Sequence, residues 1–265
     1  MTSTGFRIAS LVPSVTELLV ALGLGSRLVA RTGFCVHPHD AIRDIPKIGG
    51  TKDVNLAKLR RLAPTHVIVN VDENRAEIAA ALREFVPHVL VTHPCAPEDN
   101  LALFEQMAQT FKAEPGVAER AGILAGQLHA ELEALRQPGW PLRRVLYVIW
   151  REPWMTVARD TYISRMLALV NWHTEPDQAG GPSGAARYPT FDVHAGWLAG
   201  VQDVLLSSEP YRFGAGHVAE AQALCPGARV QLVDGEMLSW YGVRAIQGLR
   251  YLRTLAGQAP ASGMT

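Results

Sequence analysis

Cysteine and histidine side chains follow several of the segments that read as β-strands, and together they could ligate a metal ion. They are Cys35, His37, His39, His93 and Cys95. Thiolates and imidazoles are ligands that zinc and iron favour. Neither the cluster of Cys35, His37 and His39 nor the pair His93 and Cys95 has the spacing of a known metal motif, however. No nearby carboxylate stands where it would orient a ligand. Two interpretations stay open, a metal-ion or haem site and loop residues that are buried by packing.

A cysteine nucleophile is the other chemistry that Cys35 could support. Catalysis by a thiol needs an imidazole base, a group that orients this base and donors for an oxyanion. The sequence around Cys35 and His37 marks no orienting group and no oxyanion donors. We therefore predict that the protein is not an enzyme. The alternative is an enzyme or a thiol-dependent metal-handling protein that uses Cys35 and the histidines.

Aromatic side chains collect after the predicted strands in the second half of the chain. In parallel sheets, ligands bind beyond the carboxyl ends of the strands, where rings can stack against a large, partly apolar ligand. Any single ring could equally close the core of its own half. As a set, they predict a ligand-binding cleft in which one group of residues faces another. The first group is Trp150, Trp154, Tyr188, Tyr211, Trp240 and Tyr241, and the second is Pro13, Cys35, His37 and His93.

The first third of the chain, which positions the earlier residues, alternates between strand and helix signals. The predicted strands are 7–12, 27–32, 66–71 and 88–92, and the predicted helices start after Ser14 and cover 53–62 and 75–85. Ser14 and Glu17 have the spacing of a capping box. This alternation predicts a parallel sheet covered by helices on both faces.

Residues 97–137 carry helical signals only, with a break at Pro115-Gly116. The second piece, 117–136, keeps its apolar periodicity for about five turns and would be about 30 Å long. The later strands are predicted at 144–150, 154–157, 204–207 and 229–233, with helices at 161–170 and 243–255. We therefore predict an α/β protein with two lobes, 1–115 and 139–265, joined by one long helix, 116–138.

Charge and composition exclude several classes of protein. The 25 basic and 25 acidic residues give a net charge of zero, which argues against a nucleic-acid partner because phosphate binding needs a concentrated basic surface. The sequence contains no apolar run long enough for a transmembrane helix, so we expect no membrane insertion. Its first residues lack the pattern of an export signal. The three cysteines form no CxxC pair, which excludes a zinc ribbon.

Motifs along nearly the whole chain resemble those of the class III, helical-backbone substrate-binding proteins of ABC importers, which include cobalamin and ferric-siderophore receptors. The opening motif is Ile8-Ala-Ser-Leu-Val-Pro-Ser14, followed by Thr16-Glu17 and Ala21-Leu-Gly-Leu-Gly25. Further motifs are similar to the cobalamin-binding branch: Cys35-Val-His-Pro38, Ile48-Gly-Gly-Thr-Lys52, Leu62-Ala-Pro-Thr-His-Val-Ile68, Glu73-Asn-Arg75, Trp150-Arg-Glu-Pro-Trp-Met-Thr156, Asp160-Thr-Tyr-Ile163 and Arg187-Tyr-Pro189. A single long helix between the lobes is the hallmark of that family.

The resemblance implies a non-enzymatic protein that clamps a cobalamin-like or metal-chelate ligand between two lobes and passes it to an ABC permease. No cofactor is obligatory in this interpretation, because cobalamin or an iron chelate would be the ligand. A thiol or imidazole at Cys35, His37 or His93 would add axial coordination to cobalt or iron.

The resemblance also implies a docking role for one acidic residue of each lobe, which would meet arginines of the permease. Glu73, Glu77 and Glu209 lie just past predicted strands, where such residues would sit. Solvated carboxylates favoured by a helix dipole would look the same in the sequence. The resemblance implies a location in the periplasm. Because the first residues lack the pattern of an export signal, a cytoplasmic protein that acts as a ligand sensor is the alternative.

Overall fold

Eight short strands form two sheets in the part of the chain that the structure describes. The computed structural model describes residues 5–136 and 139–258. Over these residues the chain divides into two units, each with its own sheet and helices. Unit 1 comprises the chain up to Pro94, with residues 100–126 and 241–244. Unit 2 comprises residues 95–99, 127–240 and those from 245 onward.

The sheet of unit 1 has the strand order β2-β1-β3-β4, and every neighbouring pair is parallel. Its strands are β1 (Ile8–Ser10), β2 (Leu28–Arg31), β3 (His66–Asn70) and β4 (His88–Thr92). The central strands β1 and β3 are buried along their whole length. A strand covered on both faces has no solvent side, which explains why these segments are almost continuously apolar.

The sheet of unit 2 is also parallel throughout, with the order β6-β5-β7-β8. Its strands are β5 (Arg143–Val148), β6 (Trp172–Thr174), β7 (Asp203–Ser207) and β8 (Arg229–Val233). Asp203, the first residue of β7, is fully buried and accepts hydrogen bonds from Arg143 and Arg229, the first residues of the two adjacent strands. This ion cluster holds the amino edge of the sheet together.

The helices begin where the sequence supplies a cap or a proline. Pro13 occupies the first turn of the first helix, where its fixed φ is suited to the helix. The side chains of Asn55, Thr161 and Asp234 each accept a backbone N–H and cap a helix. The helices are α1 (Pro13–Ala21), α2 (His39–Ile42), α3 (Leu56–Arg61), α4 (Ala76–Leu82), α5 (Asp99–Thr110), α6 (Val117–Leu135), α7 (Tyr162–Ala168), α8 (Ala215–Leu224), α9 (Gly235–Ser239) and α10 (Arg244–Gly257). None of the helices described is long and apolar enough to cross a membrane.

The predicted α/β class with parallel sheets is confirmed, and most predicted elements are present, but two local predictions are wrong. The capping box fails because α1 begins at Pro13 and its N-cap, Val12, makes no side-chain bond. The predicted strand 154–157 is absent from the sheet. Its backbone pairs with the loop that follows residue 186 instead, since Thr156 donates to Pro189 and Ala158 donates to Arg187.

Four elements, α2, α8, α9 and β6, were not predicted, and two of them carried no recognisable signal in the sequence. Strand β6 has only three residues, too few for a periodicity. Helix α8 is rich in alanine and has no clear apolar stripe in its sequence AGHVAEAQAL. Both were therefore missing from the predicted order of elements.

The long predicted helix is present as α6, Val117–Leu135, and the boundary between the units falls inside it, after Gly126. The domain limits 1–115, 116–138 and 139–265 stay a prediction. Their residues 1–4, 137–138 and 259–265 lie outside the described residues.

A short segment near the end of the chain, 241–244, belongs to unit 1 and is held there by polar contacts. Arg244 donates from Nε and Nη2 to the two carboxylate oxygens of Glu17, each at 2.8 Å. The backbone N–H of Gly242 donates to Asn100 Oδ1. Gly242 has φ +71°, and a Cβ there would lie 3.1 Å from the carbonyl oxygen of Ser14. The segment thus fits unit 1 only with glycine at this position.

Replacement of Arg244 by methionine tests how strongly this ion pair stabilises the fold. The side chain of Arg244 is 9% exposed and that of Glu17 is 17% exposed. Loss of the guanidinium leaves a largely buried carboxylate without its partner, so we expect Arg244→Met to lower the free energy of unfolding by about 3 kcal/mol. Urea titration followed by circular dichroism measures the change.

The control is Arg136→Met, because Arg136 pairs with Glu133 at the surface, with the two side chains 64% and 46% exposed. Exposed pairs contribute less than about 1 kcal/mol. The double variant Glu17→Gln/Arg244→Met should recover part of the loss. Equal costs for Arg244→Met and Arg136→Met would show that the pair does not anchor the segment.

Candidate functional site

The carboxyl edge of the sheet in unit 1 is shaped by two asparagines that fix the turn after β3. Asn70 Oδ1 accepts the backbone N–H groups of Asp72, at 2.8 Å, and Glu73, at 3.3 Å. Asn74 Oδ1 accepts the N–H of Asn70 at 2.8 Å, and its Nδ2 donates to Thr51 O at 2.8 Å. These hydrogen bonds hold the backbone of the turn that carries Asp72 and Glu73.

His93, which follows β4, meets the end of β3 at this edge. Its Nε2 lies 3.5 Å from Asp72 Oδ2, and the two side chains are 25% and 16% exposed. The expectation that no carboxylate stands near these histidines is therefore wrong for His93. His37, which follows β2, is half-buried.

Cys35 lies inside unit 1 and has no exposed surface. Its Sγ is 3.0 Å from Thr16 Oγ1 and 3.2 Å from Thr32 Oγ1. Burial raises the pKa of the thiol, although the hydrogen bonds from the two threonines lower it. A buried, protonated thiol is a poor nucleophile and a poor metal ligand. The structure therefore argues against Cys35 as a ligand contact, and Pro13 is likewise buried, at the start of α1.

The residues that flank Cys35 have the opposite environment. Phe34 is 62% exposed and Val36 is 44% exposed. The segment after β2 thus places one side chain in the core and presents its two apolar neighbours to solvent. Phe34 is not among the site residues predicted from the sequence. Its position in the turn directly after β2 is the signal that points to it.

Tyr241 and Glu73 contact each other within unit 1. Tyr241 is buried, and its hydroxyl donates to Glu73 Oε1 at 3.0 Å. Burial raises the pKa of Tyr241 well above its ordinary value, and the charge of Glu73 adds to the shift. The expectation that Tyr241 joins the aromatic rings of the second half is therefore wrong. It belongs to unit 1 because the 241–244 segment is anchored there.

Among the three predicted docking carboxylates, only Glu77 is exposed. Glu73 accepts the hydroxyl of Tyr241. Glu209 accepts Ser239 Oγ at 2.8 Å and Trp240 Nε1 at 2.7 Å. Burial raises the pKa of Glu209, while these two hydrogen bonds lower it. Glu73 and Glu209 thus have partners within their own units.

At the carboxyl edge of unit 2, three of the predicted aromatic residues do come together. Trp150 meets the ring of Tyr211 edge-on, with centroids 5.5 Å apart. Tyr211 packs on Phe213 at 4.7 Å, and Phe213 stacks on Trp154 at 6.1 Å with 13° between the planes. Trp150 is 39% exposed. The loops after β5 and β7 therefore form one aromatic cluster, with an indole presented to solvent.

Polar groups complete this aromatic cluster, which consists of Trp150, Trp154, Tyr211, Phe213 and His217. The hydroxyl of Tyr211 lies 3.2 Å from His217 Nε2, and the N–H of Gly214 donates to His217 Nδ1 at 3.0 Å. Phe213 and His217 were not predicted as site residues. Their signal was position, since Phe213 lies in the loop after β7 and His217 in the first turn of the helix that follows it.

Trp240 is buried, with 8% of its surface exposed. Its indole N–H donates to Glu209, which fixes the ring inside unit 2. The prediction that Trp240 presents a face to ligand is not supported by this burial.

Tyr188 lies half-exposed in the predicted glycine-rich loop. Hydrogen bonds to Asp160 and the close packing of Gly180 on Arg187 hold this loop in place. Asp160 accepts the N–H groups of Gly180 and Gly181, each at 2.8 Å. Burial raises the pKa of Asp160, but these backbone hydrogen bonds and the charge of Arg187 outweigh it, so the net shift is downward. A Cβ on Gly180 would come within 2.4 Å of the backbone of Arg187, so only glycine fits.

Arg187 is almost completely buried at 1% exposure. It donates to Gly181 O at 2.9 Å, and its Nη2 lies 3.5 Å from Cys95 Sγ. The thiol of Cys95 therefore faces a guanidinium in unit 2, whereas Cys35 lies in the core of unit 1. Within residues 5–136 and 139–258, no three His, Cys, Asp or Glu side chains are grouped to hold a metal ion. The metal-ion interpretation gains no support.

Comparison with known proteins gives a consistent result. The model of the periplasmic binding protein family matches residues 8–174. A curated vitamin B12-binding protein of Vibrio campbellii is 26% identical over 189 residues, which are 71% of this chain and 65% of that protein. The chain thus spans slightly less than two thirds of the length of this relative.

Two solved structures are similar in fold. The periplasmic vitamin B12-binding protein BtuF of Vibrio cholerae aligns with a TM-score of 0.77 at 21% identity, over 96% of this chain and 98% of that chain. The periplasmic haem-binding protein HutB of Vibrio cholerae aligns with a TM-score of 0.75 at 22% identity, over 94% of this chain and 98% of that chain. At these identities the similarity concerns the fold.

The role of Asp160 in holding the loop that carries Tyr188 can be tested with Asp160→Asn. Hydrogen bonds to a charged acceptor are strong, so we expect the variant to lose about 2 kcal/mol of stability and to exchange the amide hydrogens of Gly180 and Gly181 faster. The carboxylate stabilises the fold above the unfolded-state pKa, and this contribution is lost as the pH falls through the lower folded-state value. The variant should lack that part of the acid dependence.

The matched control is Asp177→Asn, because Asp177 is 72% exposed and pairs with Arg159 at 3.0 Å. It should change stability by less than about 1 kcal/mol. Hydrogen exchange followed by mass spectrometry, with chemical denaturation, gives both quantities. Unchanged exchange at Gly180 and Gly181 in Asp160→Asn would contradict the assignment.

Proposed function

Because this chain belongs to the periplasmic binding protein family, we propose that it is a non-enzymatic receptor for a cobalamin-like ligand and delivers it to an ABC permease. The observation that carries the proposal is the aromatic cluster at the carboxyl edge of unit 2, with its exposed Trp150. The periplasm is the compartment in which such a receptor would act.

Physical chemistry supports a large, flat and partly apolar ligand for this cluster. Rings of Trp150 and Tyr211 offer faces and edges that stack on a macrocycle, each worth about 0.5–1.5 kcal/mol beyond the buried area. Two or three such contacts change affinity by a factor of about ten to a thousand. Phe34, at the carboxyl edge of unit 1, is a further exposed ring of the same kind.

The relatives support a metal-bearing tetrapyrrole as the chemical class of ligand. Cobalamin leads because a vitamin B12-binding protein is the curated relative described above, and haem or another iron chelate follows because a haem-binding protein shares the fold. In this proposal the half-buried imidazoles of His37 and His93 would contact the ligand, and the buried Cys35 would not.

For the docking role we propose Glu77 as the acidic residue of unit 1. Its side chain is exposed in the first turn of α4, where it can meet an arginine of a permease. Glu73 and Glu209 fit this role less well, because each carboxylate already accepts a hydrogen bond within its unit.

Titration with cobalamin, followed by tryptophan fluorescence, tests the ligand proposal. A bound corrinoid absorbs light and should quench Trp150 in a saturable manner. Trp150→Ala should weaken binding about tenfold, since it removes one stacked ring together with its buried area. Haemin serves as the second ligand in a parallel titration.

Trp140→Phe is the matched control. Trp140 precedes β5 and so lies toward the amino edge of the sheet in unit 2. Its indole donates to Leu135 O. This variant should keep the affinity of the unmodified protein. Binding of neither cobalamin nor haemin, or equal affinities for Trp150→Ala and the unmodified protein, would refute the proposed site.

Reversal of charge at Glu77 tests docking. Glu77→Lys should reduce cobalamin transport by a reconstituted cognate permease at least about tenfold while the affinity for ligand stays unchanged, because an attractive ion pair becomes repulsive. Glu84→Lys, at another exposed carboxylate of unit 1, is the control. Equal transport with Glu77→Lys and Glu84→Lys would remove Glu77 from the docking surface.

A further inference from the structure

A cavity of about 460 Å³ opens at the amino edge of the sheet in unit 1. His66 and His88 are the first residues of β3 and β4 and pair in register. Both line the cavity, together with Arg83, Thr110 and an apolar wall that includes Val86 and Leu90. Small-molecule sites have volumes of about 300–1,000 Å³, so the cavity is large enough for a small ligand.

The two imidazoles form a stacked pair with centroids 4.5 Å apart and planes inclined by 25°. His66 is 8% exposed, and the rings of Phe6 and Phe111 pack against it at 5.2 and 5.3 Å. Its Nδ1 lies 2.9 Å from Thr65 Oγ1. Burial, and secondly the charge of His88, lower the pKa of His66 to about 4. His66 is therefore a neutral, fixed wall of the cavity at neutral pH.

The titratable side chains that line the cavity are all basic. Arg83 and His88 are exposed at its rim, and no carboxylate belongs to the lining. In the described part of the chain, neither Arg83 nor His88 forms an ion pair. The hydroxyl hydrogen of Thr110 is not available to a ligand, since it is donated to Gln106 O at 2.7 Å. The cavity thus offers the guanidinium of Arg83 and the imidazole of His88 beside apolar side chains.

This edge of the sheet is not the one to which the proposed ligand site belongs. The turns with Phe34, Glu73 and His93 follow the strands, whereas His66 and His88 begin them. A second function of unit 1 is therefore compatible with the receptor role and independent of it.

We propose that this cavity binds a small organic carboxylate, whose oxygens are held by Arg83 and His88 and whose apolar body packs on the stacked imidazoles and the Val86–Leu90 wall. A guanidinium offers paired N–H groups that match a carboxylate. The apolar side chains of Val86, Pro87, Val89 and Leu90 share the lining with the basic groups, which favours an organic anion over inorganic phosphate.

Benzoate is the probe for this site, with binding to the full chain followed by NMR of the histidine ring protons. We expect saturable shifts at His66 and His88 and an upward change in the pKa of His66, because a bound anion favours the protonated imidazole. Arg83→Gln should weaken binding about tenfold, as loss of a charge-assisted pair does. The control is Arg61→Gln, an exposed arginine of α3, which should not alter binding.

Benzamide and inorganic phosphate separate the contributions of charge and shape. Benzamide has a similar body without the negative charge and should shift neither histidine. The proposal is overturned if benzoate gives no saturable shift, if benzamide matches it, if phosphate binds where benzoate does not, or if Arg83→Gln binds benzoate as well as Arg61→Gln. Cobalamin titration of the same Arg83→Gln sample should be unchanged, which keeps this test separate from that of the receptor role.

Discussion

Parallel pairing of every neighbouring strand is the constraint on which the rest of the structure depends. A chain that runs parallel to its neighbour must return across the sheet, usually through a helix, so all carboxyl ends of a sheet lie on one edge. In unit 1 this brings Asp72 next to His93, and in unit 2 it brings Trp150 next to Tyr211. Residues far apart in sequence become neighbours because topology, and not their own chemistry, places them together.

Many polar groups at these edges are used to fix the backbone. Asn70 holds the turn after β3, Asp160 holds the glycine-rich loop, and Glu209 holds the indole of Trp240. Since each of these contacts restricts a loop, the cost in conformational entropy of ordering it falls on folding and not on binding. The apolar rings that stay exposed, above all Trp150 and Phe34, are then presented from a rigid support.

The amino edges of the two sheets differ in a way that bears on function. In unit 2, two arginines share the buried carboxylate of Asp203, so that the charges are paired. In unit 1, the corresponding strand starts carry His66 and His88, with Arg83 nearby and no carboxylate in the lining of the cavity. One edge is a closed structural cluster, and the other has the chemistry of an anion site.

The sequence by itself determined seven of the eight strands described, the long helix 117–135 and the loops that follow those strands, because runs of apolar residues, periodicity and glycine or proline act within a few residues. Only the tertiary structure decided which side chains of those loops are available. Cys35 is enclosed by Thr16 and Thr32, whereas its neighbour Phe34 is exposed. Tyr241 bonds Glu73 across 168 residues of sequence. Burial and hydrogen bonding at such separations depend on how the whole chain packs, and no local pattern records them.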